Sequence, residues 1–461
     1  MKRYTIIVAC WLFGSVCAKA QGDVGDFMFL SVDSCRSLAA ASNKNVAAAK
    51  EEVAAAAWEH KAALSKFFPR VSASGMYMRT SRQVSLLSEE QKAELSDGDL
   101  LGGMGRVLVD ALHTDTRDMT GIGVMLTQPV FLGGKIEAYN NITRFAEQIA
   151  VQKRNLSLQN VIVEVDETYW NIVLMMERKR LAGSYKALVD TLDSHLEKMC
   201  AEGMATRADE LSVRVKSGEA DVSIVQLDNG IDLMKMRLCH LCGLELDTEL
   251  VLTDSLPLAE GGWQTDDGVA DRPELNSLSL AAQMGRERVR AVRGDYLPSV
   301  ALMGGYMASN PSVFNSFERS IKGMWAVGVA VNVPLVTSGE RVFKVNAAKA
   351  QAVVARLRWE DMKETVSLQV RQCRRRMAEA REKLDVALSL QASADENLRH
   401  ADLGFREGTI PVNNLMEAQT AWLSAHLQVV DARIEMHLAD IYLRKALGRM
   451  DCSAYMSDAG F

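Results

Sequence analysis

The sequence predicts a mainly α-helical protein with a few β-strands of membrane-spanning length, built from two copies of one unit. Two helical stretches run for about 69 residues each without proline. Four shorter stretches alternate apolar with polar or small residues, the period of a strand with two different faces. Matched residues also recur at a fixed interval of 205 positions. The pairs are Pro129 and Pro334, Gly134 and Gly339, Gly203 and Gly408, and Gly243 and Gly448.

The first twenty residues have the pattern of a secretory signal peptide. Lys2 and Arg3 precede an apolar run at 4–16, and residues 18–20 form an A-x-A cleavage site. Lipidation at Cys17 is a weaker alternative. No later segment has eighteen consecutive apolar residues, so the sequence predicts no membrane-spanning helix in the mature chain. The chain is then either soluble beyond the inner membrane or spans an outer membrane as β-strands.

The first repeat is predicted at 21–243. An alanine-rich stretch ends at Pro69, and the alternation that follows places Val71, Ala73 and Tyr77 on one face of a strand. The predicted elements are a helix at 33–66, a strand at 70–80, a polar loop at 81–119, a strand at 121–131, and helices at 134–202 and 207–242. The two shorter helices together match the long one in length. This suggests that they lie end to end beside it.

The same order recurs in a second repeat at 272–448, after an inter-repeat equatorial segment at 244–271 and before a C-terminal tail at 449–461. Its predicted elements are a helix at 272–295, strands at 298–307 and 324–335, a helix from about 340 to 408, and a helix at 412–447. Pro69 and Pro298 are 229 positions apart rather than 205. The first repeat therefore has 24 extra residues, which enlarge its loop, where insertions are tolerated best.

The second long helix has a heptad stripe of small and medium residues, interrupted by one polar residue, Gln391. The stripe consists of positions 366, 370, 373, 377, 380, 384, 387, 391, 394, 398, 401 and 405. Such a 4-3 spacing is typical of close packing between long helices in a coiled coil.

Four membrane-length strands cannot close a barrel, because the smallest transmembrane barrels have eight strands. An open sheet edge in lipid would leave backbone groups unpaired, at a cost of several kcal/mol each. The sequence therefore predicts that several chains share one barrel, which the long helices continue as a tube. In the last strand, Val327, Val329 and Val331 are expected to face lipid. On its other face, Gly328, Ala330 and Asn332 are expected to face the lumen.

Several other functions are disfavoured by the sequence. The formal net charge of −6 implies no broad basic surface for nucleic acid, and the basic run at 371–376 is interpreted as the solvated face of a helix. The histidines have no metal-ligand spacing, and we find no catalytic triad or phosphate loop, so neither an enzyme nor a cofactor is predicted. For the "CHLC" stretch at 239–242 packing is favoured, with a disulfide or a metal site as alternatives.

Several stretches, taken in order and with the duplication, resemble the TolC family of outer-membrane efflux ducts. They are "FFPRVSASGMY", "LTQPVFLGG", "VNVPLVTSGE", "FREGTIPVNNLMEAQTAWLSA" and "LRKALG". The resemblance covers about residues 30–450. It implies a homotrimer in the outer membrane of a Gram-negative cell, with a twelve-stranded β-barrel continued by a long α-helical coiled-coil barrel in the periplasm. It also implies two partners, a periplasmic adaptor protein and an inner-membrane transporter.

The resemblance also assigns roles to particular residues. The adaptor-docking turns would include Gly203, Met204, Gly408 and Thr409. The strand-to-helix junctions would be marked by Pro129, Gly134, Pro334 and Gly339. The periplasmic aperture would be lined by Asp209, Asn414 and Glu417. The family has aspartate at the last two positions, so this sequence departs from it; three-fold rings of the two remaining acids predict a preference for cations.

The predicted function is that of an exit duct through which small molecules leave a tripartite efflux system. A second possibility within the same fold is an exit duct for type I secretion of polypeptides. A possibility from another class is a periplasmic coiled-coil scaffold without a pore. The cargo does not follow from the sequence, because the inner-membrane partner selects it.

Overall fold

The computed structural model describes residues 28–81, 89–96, 117–256, 272–312 and 320–450, together with 452 and 455. The helices are α1 (Val32–Ser42), α2 (Lys44–Leu64), α3 (Glu89–Ser96), α4 (Lys135–Ala201), α5 (Arg207–Cys242), α6 (Pro273–Gly294), α7 (Glu340–Arg406) and α8 (Val412–Ala446). The strands are β1 (Met28–Leu30), β2 (Arg70–Arg79), β3 (Asp118–Leu132), β4 (Leu250–Leu252), β5 (Ser299–Asn310) and β6 (Lys322–Asn332).

Some predictions concern residues outside the described ranges. The signal peptide at 1–20 lies outside them, as do most of the first-repeat loop, the second half of the segment at 244–271, and most of the tail from 451 onward. Among the helices that are described, none combines the length and the apolar character needed to cross a bilayer.

The chain divides into two compact units. The sheet unit comprises the described residues within 48–157 and 269–369, and the bundle unit those within 1–47, 158–268 and 370–461. Each unit therefore contains segments of both predicted repeats, and the division falls within α2, α4 and α7.

In the sheet unit, four antiparallel strands pair in the order β2-β3-β5-β6. Val124 lies opposite Tyr306 of β5, and Tyr306 lies opposite Trp325 of β6. Directly opposed residues share one face of a sheet, so this register places the predicted apolar face of β2 on the same side as that of β6. Both edge strands, β2 and β6, are exposed along their whole length.

The sheet joins the helices through a tight contact beneath β3. Gly133 has a φ of +61°, and a Cβ atom there would lie 2.5 Å from the carbonyl oxygen of Gly294 at the end of α6. Lys135 at the start of α4 pairs with Asp295, and Arg290 pairs with Glu137 at 2.6 Å. These contacts hold α6 beside the first turn of α4. At position 133, only glycine permits both the left-handed backbone and the close approach to Gly294.

The helices of the sheet unit form a ribbon. His60 of α2 contacts Glu147 of α4 at 2.7 Å, α4 lies beside α6, and Gly285 of α6 packs against Ala352 of α7. The order is therefore α2-α4-α6-α7, with α2 and α7 at the outer edges.

The bundle unit contains an equivalent ribbon in the order α5-α4-α8-α7. Lys186 of α4 pairs with Asp221 of α5 at 2.9 Å, and Arg178 of α4 donates to both carboxylate oxygens of Asp431 on α8 at 2.7 Å. The heptad stripe of α7 lies against α8. The buried residues of that contact are Met377, Ala380, Leu384 and Ala387 of α7, and Val429, Ala432, Met436 and Ala439 of α8.

The prediction of one helix at 33–66 is wrong, because the chain breaks at Asn43. That residue has extended backbone (φ −68°, ψ 127°), and its side-chain amide donates to the carbonyl oxygen of Leu241 at 3.0 Å. The amide oxygen accepts a bond from the N–H of Asn45 at 2.9 Å, which starts α2. A contact with the distant end of α5 therefore stabilises the break.

Three short elements were not predicted. Strands β1 and β4 pair in parallel, with Met28 opposite Leu250, and their residues Leu30 and Leu250 belong to the main hydrophobic cluster of the bundle unit. Helix α3 lies within the segment predicted as a polar loop. Strands of three residues have too few positions for an alternating pattern to be recognised.

Candidate functional site

The interval of 205 residues corresponds to pairs of equivalent left-handed backbone positions. The pairs, with φ in degrees, are Gly133 (61) and Ser338 (45), Gly134 (77) and Gly339 (84), Gly203 (72) and Gly408 (71), and Gly243 (71) and Gly448 (72). Glycine adopts this conformation without the steric cost that other residues have. The repeat therefore preserves the places where the chain must reverse or enter a helix.

The first of the two predicted docking turns ends α4. The N–H of Gly203 donates to the carbonyl of Cys200 at 3.1 Å, and the N–H of Met204 donates to that of Met199 at 2.8 Å. This pair of bonds is the Schellman motif, which satisfies the last carbonyls of a helix. A Cβ atom on Gly203 would meet no atom within 4 Å, and the Met204 side chain is 66% exposed.

The second turn, at the end of α7, has the same geometry. The N–H of Gly408 donates to the carbonyl of Phe405 at 3.1 Å, and that of Thr409 donates to the carbonyl of Gly404 at 2.8 Å. Again there is open space around the glycine, and Thr409 is exposed. At both turns glycine is required by the backbone angle, while the surrounding surface is free for a partner.

Asp209, one of the predicted aperture residues, caps the start of α5. Its carboxylate accepts bonds from the Thr206 hydroxyl at 2.6 Å and the Thr206 N–H at 3.3 Å. In return, the Thr206 hydroxyl oxygen accepts a bond from the Asp209 N–H at 3.2 Å. This reciprocal capping box satisfies donors that a helix start otherwise leaves unpaired. The half-buried carboxylate of Asp209 thus has a structural role in the isolated chain.

The other two predicted aperture residues lie on α8. This helix follows Pro411, which provides no side-chain cap, and the Asn414 N–H donates to the Pro411 carbonyl at 3.2 Å. Asn414 and Glu417 are both exposed, and Glu417 has no ion pair within the described part of the chain. The two acids therefore differ, since one is held by a cap and the other projects into solvent.

A hydrophobic cluster beneath the two turns, the tip cluster, brings the helix ends together. It contains residues of all four long helices in the ribbon of the bundle unit. Its buried members are Tyr185, Val189, Leu192 and Leu196 of α4, Val213 and Ala220 of α5, Ala401 of α7, and Val412, Leu415 and Ala418 of α8. Val213 lies about one turn beyond Asp209 on α5, and Leu415 lies between Asn414 and Glu417 on α8. The starts of α5 and α8 therefore pack on the same apolar cluster.

Glu210, which adjoins Asp209, was not predicted to be a functional residue. Its side chain is only 2% exposed and pairs with Arg207 at 2.5 Å and Arg214 at 2.9 Å. Arg214 also approaches Asp193 of α4 at 3.4 Å. A buried carboxylate is retained at low cost only when it is paired, and here two guanidinium groups share it. The signal in the sequence is arginine three positions before and four positions after the acid.

The equivalent positions in the second repeat are mostly apolar: Arg207, Glu210 and Asp193 correspond to Val412, Leu415 and Leu398. Arg214 corresponds to Gln419, which is 4% exposed and whose Oε1 has no hydrogen-bond partner within the described residues. Gln419 lines a cavity of about 320 Å³. Other lining residues include Leu188, Leu192, His195, Leu398, Phe405 and Leu415.

The predicted junction residues lie near the ends of the long strands, but not all at equivalent places. Pro129 lies inside β3 beside a bulge, since Pro129 pairs with Ala301 and Phe131 with Val300. A proline in a paired strand is tolerated at such an irregularity because it lacks an N–H. Pro334 follows β6, and Gly134 and Gly339 directly precede α4 and α7.

Comparisons with known proteins agree over most of the chain. The family model described as "Outer membrane efflux protein" matches residues 35–243 and 267–449, which includes both turns and both junctions. Outer membrane protein TolC of Vibrio cholerae is 21% identical over 340 residues, with 72% of this chain and 77% of the relative covered. The alkaline protease secretion protein AprF of Pseudomonas aeruginosa is 24% identical over 259 residues, with 51% of this chain and 52% of AprF covered.

A solved structure shares the fold despite low sequence identity. The outer membrane protein VceC of Vibrio cholerae superposes with a TM-score of 0.77 at 14% identity, over 90% of this chain and 96% of VceC. Such a match over nearly the whole length supports the arrangement of strands and long helices described above.

Proposed function

The chain belongs to the outer membrane efflux protein family, and we propose that it is the exit duct of a tripartite system that exports small molecules. The observation that carries the proposal is the family match through both repeats. In this proposal residues 21–243 and 272–448 are the two repeats, and 244–271 joins them. Cargo enters from an inner-membrane transporter through a periplasmic adaptor and leaves across the outer membrane.

The open sheet supports assembly as a homotrimer. Val327, Val329 and Val331 of the edge strand β6 are 68%, 64% and 62% exposed, and the opposite edge, β2, is exposed as well. In lipid, unpaired backbone at either edge would cost several kcal/mol per group. Pairing β6 of one copy with β2 of the next removes both edges. Three copies of four strands make a twelve-stranded barrel, which is within the known size range.

The two turns support a docking role for Gly203, Met204, Gly408 and Thr409. They project as exposed, hydrogen-bonded corners, so a partner can approach without displacing other parts of the chain. Asp209, Asn414 and Glu417 follow directly and are proposed to line the periplasmic aperture. The carboxylates of Asp209 and Glu417 would favour cations at that position.

Export of polypeptides is the second candidate, because the similar protein AprF is an alkaline protease secretion protein. Deleting the gene and measuring both dye accumulation and secreted proteins would separate them. Dye accumulation without a change in secreted proteins supports small-molecule efflux, and the converse supports secretion.

The assembly is tested by separating membranes and analysing the mature protein on gels with and without heating. A heat-sensitive trimer in the outer-membrane fraction is expected. A monomer in the periplasmic fraction would instead support the scaffold without a pore.

The sheet offers a matched pair of variants. Val329→Lys places a charge on the proposed lipid face and should destabilise the barrel by about 2–4 kcal/mol near mid-membrane. Ala330→Lys, on the opposite face of the same strand, should be milder. The measurement is the temperature at which the trimer dissociates. Equal and negligible effects at both positions would contradict a membrane location for β6.

A further inference from the structure

Three cysteines lie close together where α1 meets the end of α5. Cys35, Cys239 and Cys242 are 0%, 0% and 1% exposed, and all three belong to the main hydrophobic cluster of the bundle unit. The family assignment gives them no role. Packing of small apolar side chains is one explanation for buried cysteine, but the contacts among these three point further.

Two of the three cysteines contact each other. The Cys242 thiol donates to the backbone carbonyl of Cys35 at 3.6 Å. The Cys239 thiol is directed elsewhere, towards the carbonyl of Thr248 at 3.9 Å. Cys35 and Cys242 are therefore the two cysteines placed to react with each other. Cys239 is a nearby buried cysteine whose thiol is directed away from them and serves as a control.

The surrounding backbone holds this pair in contact. The Asn43 amide at the end of α1 donates to the carbonyl of Leu241 at 3.0 Å. A Cβ atom on Gly243 would lie 2.7 Å from the Cβ of Ser42, so the two helix ends touch directly beyond the cysteines. Both contacts adjoin Cys242 in sequence. The two thiols are thus positioned by packed helices rather than by loops.

Other chemistry for this pair is poorly supported. Within the described residues, no group of three or more ligating side chains is arranged to hold a metal ion. The hydrogen bond with Cys242 and burial raise the pKa of the Cys35 thiol, and burial raises that of Cys239. Complete burial also excludes a substrate from the folded site. What remains is a reaction between the two thiols themselves.

We propose that Cys35 and Cys242 form a disulfide bond in the outer-membrane protein. The chain folds outside the inner membrane, in a compartment where disulfides form and persist. A thiol–disulfide oxidase first forms a mixed disulfide with one cysteine. The thiolate of the other attacks that cysteine's sulfur, the S–S bond forms, and the oxidase sulfur leaves as a thiolate. Two thiols lose two protons and two electrons, and the oxidase disulfide is reduced to a dithiol.

This bond would tie the beginning of the first repeat to its last helix. It closes a very long loop, between residues 35 and 242, and so restricts the unfolded chain strongly. Because both thiols are buried in the folded protein, oxidation must precede burial. The bond should then resist reductant until the protein is unfolded.

Mapping of the wild-type protein tests the proposal directly. Protein purified from outer membranes without reductant is denatured, alkylated with iodoacetamide, digested and analysed by mass spectrometry. The expected result is a linked peptide pair containing Cys35 and Cys242, lighter by two hydrogens than the sum of the free peptides, with Cys239 alkylated. Alkylation of all three residues, or a link between Cys239 and Cys242, would overturn the proposal.

Variants provide a second test. In the absence of reductant, Cys35→Ala, Cys242→Ala and the double variant should all melt at one lower temperature, because each removes the same bond. Wild-type protein refolded in reductant should melt near them, whereas Cys239→Ala should keep its dependence on reductant. If reductant leaves the wild-type melting temperature unchanged and the single effects add, the cysteines only pack. If no variant assembles, mapping of the wild type still decides.

Discussion

Helix α5 of the first repeat begins with a capped and charged segment, whereas helix α8, its equivalent, begins with proline and apolar residues. Thr206 and Asp209 form a capping box, and the buried Glu210 is paired with arginine. In the second repeat Pro411 provides no cap, and Leu415 takes the place of the buried acid. Yet the turns before the two helices have the same hydrogen bonds and nearly the same backbone angles.

This difference teaches that separate physical constraints set the turn and the packing of the helix start that follows it. We call the residues of that packed helix start the base of the turn. Reversal of the chain needs a left-handed residue, which glycine supplies at Gly203 and Gly408. The base needs only a close-packed contact, and ionic or apolar side chains can provide it. The two bases should respond differently to mutation, because breaking a buried ion pair leaves an unpaired charge, whereas an apolar contact carries no such cost.

The largest expected effect comes from replacing Arg214, which belongs to the charged base at the start of α5. Arg214→Leu leaves Glu210, which is 2% exposed, with one partner instead of two. Because Arg207 still pairs with the carboxylate, we expect a loss of about 2 kcal/mol in the free energy of unfolding, measured by denaturant titration.

The equivalent substitution in the second repeat is the matched control. Gln419→Leu removes an amide whose Oε1 lacks a partner in the described part of the chain and fills part of an adjoining cavity. It should be neutral or stabilise the protein by up to about 1 kcal/mol. Equal losses at both positions would show that the two bases do not differ energetically.

Replacing the turn glycines tests whether the two backbones are equivalent. Gly203→Ala and Gly408→Ala each force a left-handed backbone on a residue with a Cβ atom, at a cost of about 1–2 kcal/mol. The space around both positions is open, so no clash adds to this cost. Similar losses at the two turns are expected, and a clear difference would argue against a shared geometry.

A bulky residue at Gly408 tests docking. Gly408→Trp should reduce dye efflux while the heat-sensitive trimer still assembles, because the turn lies at the end of α7 remote in sequence from β6. Gly408→Ala, with the same backbone strain and a small side chain, is the control. Unchanged efflux in the tryptophan variant would remove this residue from the docking surface.

The cap of α5 should have a smaller effect. Thr206→Ala removes the hydroxyl that bonds the Asp209 N–H and carboxylate, and should cost about 1 kcal/mol. Thr206→Ser keeps the hydroxyl and should restore most of the stability. A loss in both variants would mean that the threonine methyl group, rather than the cap, is important.

The smallest effect on stability is expected at the proposed aperture, where the measurement is ion selectivity in planar bilayers. Glu417→Gln should reduce cation preference more than Asp209→Asn, because the carboxylate of Asp209 is already held by Thr206. The double variant Asp209→Ala, Glu417→Ala should lose block by multivalent cations. Selectivity and block that match the wild type would show that these acids do not line the aperture.

The sequence alone determined the two-fold repeat, the long helices, the four long strands and the places where the chain reverses. These features depend on periodicity, on proline and on glycine, which act on the residues beside them in the chain. Helix α5 was predicted with its observed bounds for this reason, since Gly203 and Gly243 bracket it. The apolar sides of the strands were also evident from alternation.

The tertiary structure alone decided which of these local features is interrupted, buried or paired. The break at Asn43 depends on the carbonyl of Leu241, which is 198 residues away. Asp209 and Glu210 are adjacent acids, yet one is the cap and the other is buried between arginines. Burial and long-range hydrogen bonds depend on which helices the fold brings into contact. A side chain's neighbours in sequence do not specify that contact.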